Sequence, residues 1–167
     1  MPYPILYAGQ RIRASLLAAM QPLRVSKAVF TTRTSTTALA ADPHLVLAVA
    51  ANAVYDLDGW IEYSGAFGAG DLKMDFTVPS GATMRWSPLG NAPADTTQKY
   101  ASGSVAYNSP LAVGTYGVGA TRNAASPRGQ LITVSAGNLT FRWSQNSSNT
   151  TGTTVYENSW IRLIRVG

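Results

Sequence analysis

The chain contains no cysteine. It can therefore build no disulfide framework, no zinc–thiolate site and no cysteine nucleophile. It has one histidine, His44, and eight carboxylates among 167 residues, so the groups that move protons in catalysis are scarce. Charged residues make up 13% of the chain, about half the usual share of roughly 25%. A surface dressed mostly in Ser, Thr, Asn, Gln, Gly and Ala points to cover by partners, and we read an obligate oligomer. No apolar run approaches the ~18 residues that a membrane-spanning helix needs. The opening Met1-Pro2-Tyr3-Pro4-Ile5-Leu6 lacks the basic stretch and apolar run of a cleaved secretory signal. The expectation is a protein made in a cytosol, without membrane insertion, that stays soluble until it assembles.

What is present is alternation. Leu139-Thr140-Phe141-Arg142-Trp143-Ser144-Gln145 sets large apolar against polar residues at the period of a half-buried strand. Asp71 to Val78 does the same, with Leu72, Met74, Phe76 and Val78 inward, and Ala82, Met84 and Trp86 continue it. In Ala53 to Tyr63 the residues Ala53, Tyr55, Leu57, Ile61 and Tyr63 share one face. Further strands are expected at Arg24 to Thr31, Leu45 to Ala51, Gln98 to Tyr107, Leu111 to Val118, Gly129 to Ser135 and Thr153 to Glu157. The closing Ser159 to Val166 also reads as a strand, so the chain is expected to end inside its own core.

Turn clusters separate these runs: Asp42-Pro43-His44, Ser64-Gly65, Gly68-Ala69-Gly70, Pro79-Ser80-Gly81, Ser87-Pro88-Leu89-Gly90-Asn91, Ser126-Pro127-Arg128-Gly129 and Asn146 to Gly152. Such signals every eight to twelve residues or so mark a β-sandwich or barrel. The fold class is all-β: a jelly-roll β-sandwich of eight to ten strands with a short N-terminal amphipathic helix.

That helix is expected at residues 10–20. Ile12, Leu16, Leu17 and Met20 fall at i, i+4, i+5 and i+8, on one apolar stripe, and Pro22 stops it. So short a helix needs a surface to dock on, either the body or a neighbouring chain. The chain divides into an anchor segment, residues 1–22, and a β-sandwich domain, residues 23–167. The docking residues are Ile12, Leu16, Leu17 and Met20, flanked by Arg11 and Arg13.

No constellation rises to a catalytic site. His44 reads as an exposed turn histidine, and no nucleophile-elbow motif accompanies it. Asp56, Asp58 and Glu62 share the strand face opposite Tyr55, Leu57 and Ile61, a face open to water, a partner or a sugar. Asp56-Leu57-Asp58-Gly59 resembles half of a calcium loop but lacks the later ligands and the closing Glu. We expect no metal, no cofactor and no enzymatic activity. The net charge of +5 is spread over single arginines, among them Arg24, Arg33, Arg85, Arg122, Arg128, Arg142, Arg162 and Arg165. Dispersed arginines suit interface pairing better than a nucleic-acid patch. Arg85-Trp86 and Arg142-Trp143 are neighbours on strands, so each pair splits between opposite faces. Trp160 and Arg162 share a face, and Trp and Arg are frequent interface anchors. They form our expected oligomer interface, with a core position as the alternative for Trp160. The polar run Gln145 to Thr154 reads as an exposed recognition loop, and its Asn-X-Ser/Thr triplets carry no glycan without a secretory signal.

Tyr7-Ala8-Gly9-Gln10-Arg11-Ile12-Arg13-Ala14-Ser15-Leu16-Leu17 resembles the opening of many small phage virion proteins, with Arg13 where that opening usually has Thr. Leu45 to Ala53, Gly70-Asp71-Leu72-Lys73, Thr77 to Ala82 and Arg142-Trp143-Ser144-Gln145-Asn146 look like small virion proteins of actinobacterial phages and prophages. The resemblance implies a non-enzymatic structural protein and a homotrimeric jelly roll similar to the tumour-necrosis-factor and C1q type. It would be made in the host cytoplasm and decorate the virion surface as a minor capsid or head-fibre protein. Its partners would then be further copies of itself and the major capsid protein. The alternative is a minor tail or receptor-binding protein that meets tail proteins and a host cell-surface glycan. A polysaccharide hydrolase using the Asp56 to Glu62 face ranks third, and a nucleic-acid binder fourth.

Overall fold

The computed structural model describes residues 7–9, 11–95, 99–101, 103–117 and 122–167. One helix, α1 (Ala14–Met20), precedes the strands. These are β1 (Leu23–Ser26), β2 (Thr31–Arg33), β3 (Ala40–Val49), β4 (Ala53–Ser64), β5 (Leu72–Thr77), β6 (Thr83–Asn91), β7 (Lys99–Ala101), β8 (Val105–Ala106), β9 (Leu111–Val113), β10 (Asn123–Thr133), β11 (Gly137–Gln145), β12 (Thr153–Val155) and β13 (Trp160–Arg165). They form two antiparallel sheets. The large one runs β1-β13-β4-β10-β6-β7, with β8 on β6, β12 on β4 and β2 on β12; the small one runs β3-β11-β5-β9.

Eight strands carry the topology. Take β1, β3, β4, β5, β9, β10, β11 and β13 in chain order: the first pairs with the eighth, the second with the seventh, the third with the sixth and the fourth with the fifth. That is one long antiparallel hairpin of four strands against four. Rolling it up adds the pairs β13 with β4 and β11 with β5. The result is a jelly roll. The expected eight to ten strands become thirteen among the described residues, because β6, β7 and β8 are inserted between the fourth and fifth and β2 with β12 add a short side ladder.

The rolling sorts the connections by length. Residues 50–52, 78–82 and 134–136 make tight turns at one end, where α1 leads into β1. Segments 27–39, 65–71, 92–95, 114–117 and 146–159 gather at the other.

Inward residues follow the predicted alternation. Tyr55, Leu57, Ile61 and Tyr63 of β4, Met84 and Trp86 of β6, Met74 and Phe76 of β5 and Phe141 and Trp143 of β11 are buried. Phe76 of the small sheet meets Trp86 of the large sheet edge to face, with centroids 5.1 Å apart at 84°.

Two expected turns are strand interior instead. Ser87 to Asn91 lies in β6 and Ser126 to Gly129 in β10, and their prolines face each other, Pro127 opposite Pro88. A proline has no N–H to give a ladder, and the β10–β4 pairing is interrupted there, passing from Ala125↔Ile61 to Arg128↔Asp58. Gly59 fills the gap in β4: a Cβ at that position would lie 2.9 Å from the Pro127 ring. Gly129 is likewise needed, since a Cβ would sit 2.3 Å from the Arg85 carbonyl oxygen. Asp42-Pro43-His44 is not a turn either. It lies within β3, at an edge where a missing N–H costs no pairing. The β3–β11 register shifts between Thr140↔Val46 and Arg142↔Ala41, so these residues form a bulge.

Candidate interaction surface

The register of the large sheet lays its outward side chains in rows. One row is Ser26, Trp160, Trp60, Ser126 and Leu89; the next is Arg24, Arg162, Asp58, Arg128 and Ser87. Below them come Ile164, Asp56, Gln130 and Arg85, then Val54, Ile132 and Thr83. Strand alternation sends Ile161, Leu163, Leu57 and Leu131 into the core and leaves these outside.

Trp160 is thus a face residue, half-buried, not a core one. Its ring is covered by Arg24, 4.8 Å from the ring centroid, and by Arg162 at 5.6 Å. Arg162 donates to Asp58 at 2.6 Å. Trp60, 41% exposed, donates its indole N–H to Glu62 at 3.3 Å. Above it, Arg122 reaches Glu62 at 3.3 Å and Glu157 at 3.4 Å and stacks on Tyr156 at 3.9 Å. The two carboxylates and their hydrogen bonds hold the Arg122 guanidinium above its usual pKa despite the opposing effect of desolvation.

Asp56, Asp58 and Glu62 do share the outward face, and each has its own partner. Asp58 is held by Arg162, with Arg128 3.9 Å away, Glu62 by Arg122, and Asp56 accepts from Gln130 at 3.1 Å. Among the described residues, no group of three or more His, Cys, Asp or Glu could hold a metal ion. His44 is half-buried in β3 rather than exposed in a turn. Its Nδ1 lies 3.9 Å from Asp42 and has no hydrogen-bond partner.

The N-terminal site is only partly described. Helix α1 is shorter than the predicted 10–20, starting at Ala14, and Gln10 lies outside the described residues. Arg11, Ile12, Arg13, Leu17 and Met20 are exposed and Leu16 is half-buried. The apolar stripe therefore does not sink into its own body.

Sequence reasoning missed the buried polar groups. Lys27 pairs with Asp42 inside the sandwich, 2.6 Å apart, with both side chains fully buried. In the supposed recognition loop, Gln145 is buried, not exposed, and organises the segment. Its amide oxygen accepts from Thr36 and Asn149, and its nitrogen donates to the Thr151 carbonyl.

Asp71 ties the long-loop end together. Its carboxylate accepts from the Thr115 N–H at 3.0 Å and the Ala94 N–H at 3.3 Å, and its carbonyl accepts from the Asn146 N–H at 2.7 Å. Burial raises its pKa and the hydrogen bonds from Thr115 and Ala94 only partly oppose that. A carboxyl whose folded pKa is raised binds its proton more tightly in the folded state, so its contribution to stability improves as pH falls through that value. Asp71→Asn removes the buried charge but leaves one acceptor oxygen for two N–H donors, its NH2 facing the other donor. We expect it to lower the unfolding free energy at neutral pH by about 1–3 kcal/mol, the cost of a buried donor left unsatisfied. Denaturant titrations at pH 7 and pH 5 should show the wild type gaining on the variant at the lower pH.

No family model matches the chain, and no curated protein matches it in sequence. Among solved structures it is similar to the tripod from the baseplate of bacteriophage Tuc2009, at 7% identity and a TM-score of 0.34, covering 99% of this chain and 75% of that one. It is also similar to infectious bursal disease virus, Gt strain, at 10% identity and a TM-score of 0.22, covering 87% of this chain and 41% of that one. Overlaps of this depth carry no argument about function.

Proposed function

We propose that the chain is a non-enzymatic structural component of a phage virion, a homotrimeric jelly roll that decorates the capsid and is held there by residues 1–22. One observation carries the reading: the body is polar along its length. Helix α1, with Ile12, Leu17 and Met20 exposed, enters at the tight-turn end, and the long connections gather at the opposite end. An apolar stripe that its own body does not bury suits a docking element. The resemblance of the opening segment to phage virion proteins agrees with this, as does the low charge content.

The test is addition of the labelled full-length protein to capsids lacking it, followed by cryo-imaging. Wild type should decorate the capsid, and a variant with both Ile12→Glu and Leu17→Glu should fold and fail to attach. A stable monomer that binds no capsid would remove the proposal. A second reading places the same body at the tail as a glycan-binding protein. It draws on Val29, Phe30, Phe67 and Tyr116, large apolar side chains exposed at the long-loop end. Label at the tail tip would favour it.

A further inference from the structure

The two outward faces of the sandwich differ in kind. On the small sheet the outward side chains include Lys73, Thr77, Ala48, Asn138, Thr140 and Arg142, and no large apolar side chain described there is exposed. The large sheet exposes Trp60, Leu89, Ile132 and Ile164 across four neighbouring strands, with Val134 and Val166 just beyond their ends. A hollow of about 460 Å³ lies beside Ile132, bordered by Thr83, Arg85, Tyr107 and Gln130. Large apolar side chains exposed on one face only, set among charged rows and beside a hollow, mark a contact surface.

Its charges say what it contacts. Asp56 meets Gln130 but no cation among the described residues. On the same face Arg24 lies over the Trp160 ring and has no ion pair among the described residues, and Arg128, 76% exposed on its side chain, is 3.9 Å from Asp58. Among the described residues the face thus holds an anion without a cation and, one row away, one cation without an anion and a second held only at 3.9 Å. A uniformly charged partner such as a polyanion would satisfy Arg24 and Arg128 but leave Asp56, Asp58 and Glu62 opposed to like charge. A neighbouring copy in a trimer, packing head to tail with its margin on this face, brings both signs.

We infer that the outward face of the large sheet is the contact between copies of this chain, with Trp60 and Ile132 as its apolar anchors. This rests on the self-association in the proposed function and names its surface. It widens the expected Trp160 and Arg162 contact to four strands.

Sedimentation and light scattering of the full-length protein test it at micromolar concentration. Wild type should run as an oligomer. Ile132→Arg and Trp60→Arg should each weaken association about 30-fold or more, as loss of an interface anchor does. Asn138→Arg, on the small-sheet face, should leave it unchanged. Far-UV circular dichroism confirms folding of each variant. Should either anchor variant unfold, slowed amide exchange in β4, β10 and β13 on raising wild-type concentration carries the test, and its absence counts against the inference. An oligomer indifferent to both anchor variants would overturn this surface while leaving the assembly standing. A wild-type monomer would overturn both, as would a monomer whose face is protected only by added cell-wall polysaccharide.

Discussion

Lys27→Met is expected to lower the unfolding free energy by about 3–5 kcal/mol, the usual cost of stripping one partner from a buried ion pair. The Lys27 ammonium donates to Asp42 at 2.6 Å and to the Thr31 hydroxyl at 2.8 Å, and both charged side chains are fully buried. Methionine fits the space but leaves the Asp42 carboxylate without its cation. The carboxylate would keep the Trp143 indole N–H at 3.0 Å and the His44 and Leu45 N–H groups at 3.0 and 3.3 Å. Burial alone would push the Asp42 pKa up. Hydrogen bonds from Lys27, His44 and Trp143, with the Lys27 charge, outweigh that and hold it below its ordinary value. A depressed folded pKa gives stability that is complete above the unfolded carboxyl pKa and is lost as pH falls through the folded one. The gap between wild type and Lys27→Met should therefore be widest near neutrality and narrow on acidification below about pH 4. Urea titrations across that range read it directly. Adding Asp42→Asn to Lys27→Met removes the stranded charge and should recover part of the loss. If the double variant were as unstable as the single one, packing rather than charge would be the cause.

The same pair shows where sequence patterns stop. Alternation in β4, β5 and β11 located the core because a half-buried strand must place every second side chain inside. Hairpin closure and turn spacing then made two sheets the economical solution. Lys27 follows Val25 on that same two-residue rhythm, yet a lysine carries no signal that it points inward; its burial depends on Asp42, fifteen residues away, arriving with a charge. Pro88 and Pro127 misled for the opposite reason. Each is a turn residue in isolation, and only their facing positions in β6 and β10, with Gly59 making room, let both lie within strands. On the outer face, Asp56, Asp58 and Glu62 were legible as sharing one strand face, as were Trp160 and Arg162. Their pairing with Arg162, Gln130 and Arg122 required the strand order β13-β4-β10, which local pattern does not encode.

Phe76→Ala is expected to cost a further about 3–5 kcal/mol on its own, in the range of fully buried aromatic truncations. Phe76 lies at the contact between the sheets. It is fully buried in β5, pairs in register with Phe141 of β11 and meets Trp86 of β6 edge to face across the sandwich. Its centroid is 5.6 Å from that of Phe141 at 62°. Alanine leaves a cavity bounded by two large rings from different sheets, and neither can close it without moving a central strand. Phe76→Leu separates volume from ring geometry. It retains most of the packing and loses the edge-to-face contacts, which are worth about 0.5–1.5 kcal/mol beyond area. A loss for Leu in that lower range, with an unchanged denaturant slope, would show that the alanine variant fails mainly through the void. The near-ultraviolet dichroism of Trp86 should weaken in both, since its ring loses an ordered aromatic neighbour in each. Losses as large for Leu as for Ala would instead assign the inter-sheet contact to ring geometry.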